Sequence, residues 1–287
     1  MTKVSGSAIA LGTFDGIHIG HTTVLKSALG FDDLKPIVVT FNEPPKKYKG
    51  EYSPMLISTK EKIKTLQEMG FAEIISLDYL KVCDLSPKEF LDLLLEKYNA
   101  KVLVCGFNYR FGKGGEGTAQ FLVDYCAKMG LTAIVCPAVE YADATVSSSF
   151  IRQLIENGDV GFASKLLGRY FSFKGEVIGG DKRGHALGFP TANVLPDSCL
   201  VMPKFAVYAT RTVVNGAEYP SVTNIGLRPT FLLDKPLSET YIIGFEGDLY
   251  GKTIEIKFVK YLRDETKFDS LENLKETIAK DIEKSKN

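Results

Sequence analysis

A series of short, mostly apolar runs, at 8–11, 36–41, 73–77, 102–105 and 132–135, alternates with amphipathic segments through the first half of the chain. Runs of this length with no polar alternation suit strands buried on both faces, which is the condition of a parallel sheet covered by helices. The intervening segments carry helix signals. Segment 19–29 puts Val24, Leu25 and Ala28 on one face. Segment 59–69 has Ser58 or Thr59 as its N-cap, carries Lys/Glu pairs and stops at Gly70. Segment 87–98 opens Ser86-Pro87, an N-cap followed by proline in the first turn, and segment 118–129 completes the series. Strand–helix alternation of this kind predicts a doubly wound parallel α/β sheet.

The texture changes further on. Segments 150–156 and 160–167 read as helices separated by Asn157-Gly158, and Gly168 breaks the second. Beyond Tyr170 the pattern turns to two-residue alternation, at 171–177, 207–214 and 253–259, with Asn215-Gly216 as a hairpin turn. This half predicts a compact antiparallel barrel or sandwich. A closing helix over 270–284 places Leu271, Leu274, Ile278 and Ile282 on one stripe. The organisation expected is two domains, 1–167 and 168–287, consistent with a length of 287 residues.

Composition narrows the partners. Lys plus Arg equals Asp plus Glu at 35 each, which argues against a nucleic-acid footprint or an anionic membrane surface. No stretch approaches the roughly 20 apolar residues of a membrane helix, and 7–12 is too short for a signal peptide, so a cytoplasmic location is expected. The five cysteines are odd in number and show no CxxC spacing, so neither a disulfide framework nor a zinc ribbon is expected.

The first candidate site is Gly12-Thr13-Phe14-Asp15-Gly16-Ile17-His18-Ile19-Gly20-His21, the connection from the first strand to the first helix. In a doubly wound sheet ligands gather at such loops, and a helix start favours phosphate through its free N–H groups and dipole. Gly12, Gly16 and Gly20 permit close approach of backbone to a ligand. His18 and His21 are spaced to direct both rings to one side, and two of the chain's three histidines stand here. Nucleotidyl transfer develops charge on phosphate oxygens that imidazole and amide donors stabilise. Other readings fit less well. No third ligand follows the H-x-x-H at zinc spacing, no GxxxxGK[ST] occurs, and the glycine spacing with bulky Phe14 departs from the dinucleotide fingerprint.

These residues resemble the GxFDxxHxGH signature of the nucleotidyltransferase superfamily. With Gly106-Phe107-Asn108-Tyr109-Arg110-Phe111-Gly112 and Ser147-Ser148-Ser149-Phe150-Ile151-Arg152, the stretch is similar to the adenylyltransferase half of bacterial bifunctional riboflavin kinase/FAD synthetases. The resemblance implies a nucleotidyltransferase-like fold in which His18 and His21 are catalytic. Gly12, Phe14, Asp15, Gly20 and Asn108 then bind the nucleotide, and Ser148 and Arg152 hold phosphates. The family's Phe-Asp-Pro-His-Pro is here Phe41-Asn42-Glu43-Pro44-Pro45, without the histidine.

The second half extends the resemblance. Gly175, Gly179, Gly180, Gly184 and Gly188 crowd a stretch with Asp181, Lys182, Arg183 and His185, followed by Gly188-Phe189-Pro190-Thr191-Ala192-Asn193, which is similar to the riboflavin kinase signature. Segments 224–230 and 247–251 resemble later family segments. The resemblance implies a barrel in which Gly175 and Gly180 meet the nucleotide, Thr191 and Asn193 bind Mg²⁺ with ATP, and Glu239 is the catalytic base. A hydroxyl and an amide carbonyl are hard oxygen ligands of the kind Mg²⁺ takes. His185 stands where the family usually has Arg, and Tyr241 where it usually has His. The expected activity converts riboflavin to FMN and FMN to FAD with ATP, small molecules being the only partners. Retention of one activity alone, or a non-catalytic flavin-binding regulator, is the alternative.

Overall fold

The computed structural model describes residues 6–48, 50, 54–179, 188–227 and 236–286. Contacts divide the chain into two compact units after Ser148.

The first unit is built on β1 (Ser7–Leu11), α1 (Ile19–Leu29), β2 (Lys35–Phe41), the single turn α2 (Pro45–Tyr48), α3 (Thr59–Glu68) and β3 (Glu73–Leu77). It continues through the single turn α4 (Tyr79–Val82), α5 (Pro87–Tyr98), β4 (Ala100–Gly106), the small pair β5 (Arg110–Phe111) and β6 (Gly117–Thr118), α6 (Ala119–Met129) and β7 (Thr132–Cys136). A second small pair, β8 (Glu140–Tyr141) and β9 (Ala144–Thr145), completes it. The main sheet is wholly parallel, in the order β3-β2-β1-β4-β7. Every residue of β1 is buried, as its unbroken apolar run requires. One face of the sheet, with Ile9, Leu11, Ile37 and Leu103, packs on Leu91 and Leu94 of α5 and Leu122 of α6. The other, with Ala8, Ala10, Val38 and Val104, packs on Val24, Leu25 and Ala28 of α1 and Leu66 of α3. The small alanines on that face leave room for α1. Because β2 and β4 flank β1 on opposite sides, the strand order reverses at β1, and a doubly wound sheet opens its ligand crevice at such a reversal.

The second unit holds α7 (Ser148–Glu156) beyond its first residue, α8 (Val160–Leu167) and the strands β10 (Phe171–Ile178), β11 (Thr191–Val194), β12 (Ala206–Val214), β13 (Ala217–Leu227), β14 (Pro236–Ile242) and β15 (Thr253–Asp264), ending in α9 (Leu271–Lys286). The six strands close a barrel in the order β10-β11-β14-β13-β12-β15, every pairing antiparallel. The change of sequence pattern points to 167/168, whereas α7 and α8 group with the barrel: Lys204 N donates to Ile155 O at 3.2 Å, and α8 packs on β15. Asn215 and Gly216 both adopt positive φ, at 50° and 85°, which gives the two-residue hairpin expected between β12 and β13.

The barrel interior is part aromatic and part hydroxylic. Phe171, Phe173 and Tyr208 surround Phe258 at ring distances of 5.8, 5.5 and 5.3 Å. Beside them a ladder of fully buried hydroxyls crosses three strands. Thr210 meets Thr223 at 2.8 Å, Thr223 meets Thr240 at 2.9 Å, Thr240 meets Ser238 at 3.2 Å, and Ser221 donates to Thr212 at 2.7 Å. Each hydroxyl satisfies the next, so the polar layer can be buried without orphaned groups.

The closing helix keeps Leu274, Ile278 and Ile282 of its predicted stripe half-buried and departs from it at Leu271. Leu271 is 62% exposed, and the residues α9 buries most completely are Asp281 and Ser285. Asp281 pairs with Arg263 at 2.9 Å, and Ser285 O accepts from Arg211 at 2.6 Å. Arginines on β12 and β15 therefore dock the helix end, and periodicity alone does not reveal a polar anchor. Among the described residues no helix is long and apolar enough to cross a membrane.

Replacing Thr223 by valine keeps the shape but breaks the middle of the hydroxyl ladder. Thr223→Val is expected to cost about 1–3 kcal/mol of barrel stability, read by urea denaturation.

Candidate functional site

The β1–α1 loop runs against backbone preference. Phe14, Gly16 and Ile17 all have positive φ, at 48°, 84° and 41°. For a β-branched residue such as Ile17 this is strained, at a cost of about 1–3 kcal/mol. Several contacts hold the loop in that shape. Asp15 Oδ1 accepts from Leu56 N at 2.8 Å, and Ser148 Oγ donates to Asp15 O at 2.9 Å. Thr40 Oγ1 donates to Thr13 O at 2.9 Å, and Lys62 Nζ donates to the same oxygen at 3.3 Å. The Phe14 ring is buried beneath the loop, and a Cβ on Gly12 would meet it at 2.9 Å. A Cβ on Gly20 would meet the His18 ring at 3.2 Å. In this structure these two glycines make room for the loop's own rings.

His18 caps α1. Its Nδ1 accepts from His21 N at 3.2 Å, so in the neutral ring the proton sits on Nε2. The rings of His18 and His21 stack 3.6 Å apart at 18°, and Phe14 meets His21 edge-on at 5.4 Å. Two imidazoles are thus held together on the first turn of a helix, at the carboxyl end of the strand where the sheet order reverses. Asn108 stands at the carboxyl end of β4, the other wall of that reversal, exposed in the turn that Tyr109 N closes onto Gly106 O at 3.0 Å. Arg152 is one turn further along α7 than Ser148 and belongs to the second unit.

In the barrel, register assembles the other set. Asn193 lies directly opposite Glu239, and Glu239 opposite Asn224, while Thr191 lies opposite Tyr241. Opposed residues share a face, so Thr191, Asn193, Glu239, Tyr241 and Asn224 form one patch on β11, β14 and β13, with the hydroxyl ladder on the reverse face. Asn193 is 7% exposed, and Asn224 Nδ2 is fixed on Glu265 Oε1 at 2.9 Å. Of these patch residues Thr191 lines a cavity of about 560 Å³, together with Ala192, Thr240 and Ile242 of the ladder face and Asp248 and Leu249. Gly175 lies within β10, where a Cβ would run into Val194 and come within 3.1 Å of Leu195 O. Gly180 and His185, with segment 228–230, lie outside the described residues.

Sequence reasoning missed Lys62 and Asn224. Lys62 sits on the buried stripe of α3 four residues before Leu66, and a lysine in an apolar stripe was the signal available. Asn224 entered only as the first residue of segment 224–230, and its place beside Glu239 is decided by strand register. Among the described residues no cluster of three or more His, Cys, Asp or Glu side chains could hold a metal ion.

A parallel α/β unit with paired imidazoles at its strand reversal and a barrel with a Thr–Asn–Glu patch make this a two-site transferase. The FAD synthetase family model matches residues 1–150 and the riboflavin kinase model residues 167–287. The bifunctional riboflavin kinase/FMN adenylyltransferase of Bacillus subtilis is 36% identical over 96% of this chain and 90% of its own length. The Escherichia coli K12 protein of the same name is 32% identical over 96% of this chain and 90% of its own. A Streptococcus pneumoniae crystal structure described as a macrolide-efflux protein superposes with a TM-score of 0.91 at 33% identity, covering 99% of this chain and 95% of that one. The chain belongs to the bifunctional riboflavin kinase/FMN adenylyltransferase family.

Burial pushes the Lys62 amine down from 10.5 to about 8, with Asp15 opposing the shift. Between those values the unfolded chain binds more protons than the folded one, so stability rises with pH across the window and is lost as pH falls through about 8. The size is about 3 kcal/mol at most. The stability of wild type relative to Lys62→Met is therefore expected to rise by up to that amount as pH goes from about 8 to 10.5, measured by urea denaturation at each pH.

Proposed function

We infer that this chain makes FMN from riboflavin at the barrel and FAD from FMN at the α/β unit, with ATP as donor in both steps. The observation that carries the reading is the presence in one chain of two differently built sites, the stacked His18–His21 pair and the opposed Asn193–Glu239 pair. Residues 1–167 are assigned the adenylyl transfer and 168–287 the phosphorylation.

At the barrel, Glu239 accepts the proton of the ribityl 5′-hydroxyl as that oxygen attacks the γ-phosphorus of ATP, and ADP leaves. The hydroxyl of Thr191, which lines the cavity, and the side-chain carbonyl of Asn193 are the oxygen donors that would hold Mg²⁺, an ion that keeps most of its ligands from water and phosphate. Bound there, Mg²⁺ would supply charge neutralisation on the triphosphate. The cavity is assigned to the nucleotide.

At the α/β unit, a phosphate oxygen of FMN attacks the α-phosphorus of ATP, and pyrophosphate leaves. His18 and His21 stabilise the charge that builds on the transferring and leaving oxygens, which is the largest service a preorganised donor set performs. Asn108 and Arg152 are assigned to the nucleotide and its phosphates. Guanidinium grips phosphate in bidentate fashion. Gly12, Phe14, Asp15, Gly20 and Ser148 are assigned to the same site through the loop they shape, since the Ser148 hydroxyl is engaged by Asp15 O. Gly175 and Gly180 are assigned to the nucleotide side of the barrel. Both reactions are placed in the cytoplasm, where ATP is supplied.

The division of labour is tested by separating the products chromatographically. His18→Ala combined with His21→Ala is expected to reduce FAD formation from FMN at least about 100-fold and to leave FMN formation from riboflavin intact. Glu239→Ala should reduce FMN formation by about 100-fold or more while FAD still forms when FMN is supplied. Equal loss of both activities in either variant, with circular dichroism unchanged, would refute it.

A further inference from the structure

Lys62 is a charge where the fold has no need of one. It stands in the first turn of α3, where the helix dipole disfavours a cation, and it is 6% exposed. It occupies the stripe whose other buried member is Leu66. Its amine reaches three neutral acceptors: Phe41 O at 2.9 Å, Thr40 Oγ1 at 3.2 Å and Thr13 O at 3.3 Å. Phe41 O is at the carboxyl end of β2 and Thr13 O is in the β1–α1 loop that leads to the imidazole pair, so one side chain ties the ends of neighbouring strands together. An ammonium has three N–H donors for these acceptors, and a neutral amine has two. Four of the buried polar residues of this unit among those described, Asp15, His18, Thr40 and Lys62, converge on this loop.

We propose that Lys62 is a positioning residue for adenylyl transfer, and that its protonated amine holds the Thr13–His18 segment at the height the two imidazoles require. The inference rests on the adenylylation reading above. Asp15, in the same loop, is the charged group that acts on the amine, and the groups it bonds from β2 and the loop are a hydroxyl and two carbonyls, which do not titrate. Burial brings the proton loss down to about 8. An ordinary imidazole titrates near 6.5, below that point. Raising pH through about 8 therefore removes one of the three N–H donors that the amine shares among Phe41 O, Thr40 Oγ1 and the loop's Thr13 O while, by the linkage above, the fold itself gains stability. A purely structural lysine would give no loss of activity in that window.

The experiment measures kcat/KM for FMN at saturating ATP from pH ~7 to ~10, which reports groups of the enzyme free of FMN, in wild type, Lys62→Arg and Lys62→Met. Riboflavin phosphorylation in the same preparations is the internal control. Wild-type FAD formation is expected to fall as pH rises through about 8. Lys62→Arg should keep activity and lose that fall, because guanidinium stays charged. Lys62→Met should lose about 100-fold at neutral pH, the scale of a small misplacement, with riboflavin phosphorylation unchanged. A Lys62→Met variant within about threefold of wild type overturns the proposal, as does a wild-type profile that stays flat or matches that of Lys62→Arg. If Lys62→Met does not fold, the comparison of wild type with Lys62→Arg decides alone. A wild type that makes no FAD at any pH takes this assignment down together with the adenylylation reading, whereas FAD formation with a flat profile removes this assignment only.

Discussion

The α/β unit depends on a loop held out of its preferred backbone conformation. Three positive φ values within four residues, one of them at the β-branched Ile17, persist only because the surroundings over-determine them. Leu56 N, Ser148 Oγ, Thr40 Oγ1 and Lys62 Nζ each bond an oxygen of Thr13 or Asp15. The return is geometric: the turn brings His18 onto the helix start as its cap and lays His21 against it, at the carboxyl end of β1, where the sheet reverses its strand order. The glycines of the motif serve this arrangement by leaving space for Phe14 and His18.

The barrel reaches the same end by a different physical route. There the local backbone is ordinary, and precision comes from register. A shift of one residue between β13 and β14 would turn Asn224 and Glu239 to opposite faces and part Thr240 from Thr223. The interlocked hydroxyls of Thr210, Thr223, Thr240 and Ser238 oppose such a slip, because each would lose its partner inside a closed barrel. The interior ladder and the outer patch therefore specify one another across β13 and β14.

Much of this was legible from residues alone. The unbroken run at 8–11 required a strand covered on both faces, and β1 is buried throughout. Asn215-Gly216 required a two-residue hairpin, and both residues have positive φ. The histidine spacing put two rings on one side of a helix start, where they stack. What failed did so for a stated reason. The stripe on the last helix suggested burial of Leu271, but the helix is anchored by Asp281 on Arg263, a pairing set by tertiary contact. Gly12 and Gly20, read as clearance for a ligand, also leave space for the loop's own Phe14 and His18 rings.

By itself the sequence determined the local grammar: which segments are strands and helices, where the turns fall, and which short motifs bear chemistry. These follow from periodicity, capping and backbone preference over a few residues. Only the tertiary structure decided that Lys62 lies under the histidine loop, 49 positions from Thr13, and that Asn224 joins the row of Asn193 and Glu239. Helix packing and strand register set those proximities, and both are sums over distant contacts that no local pattern encodes.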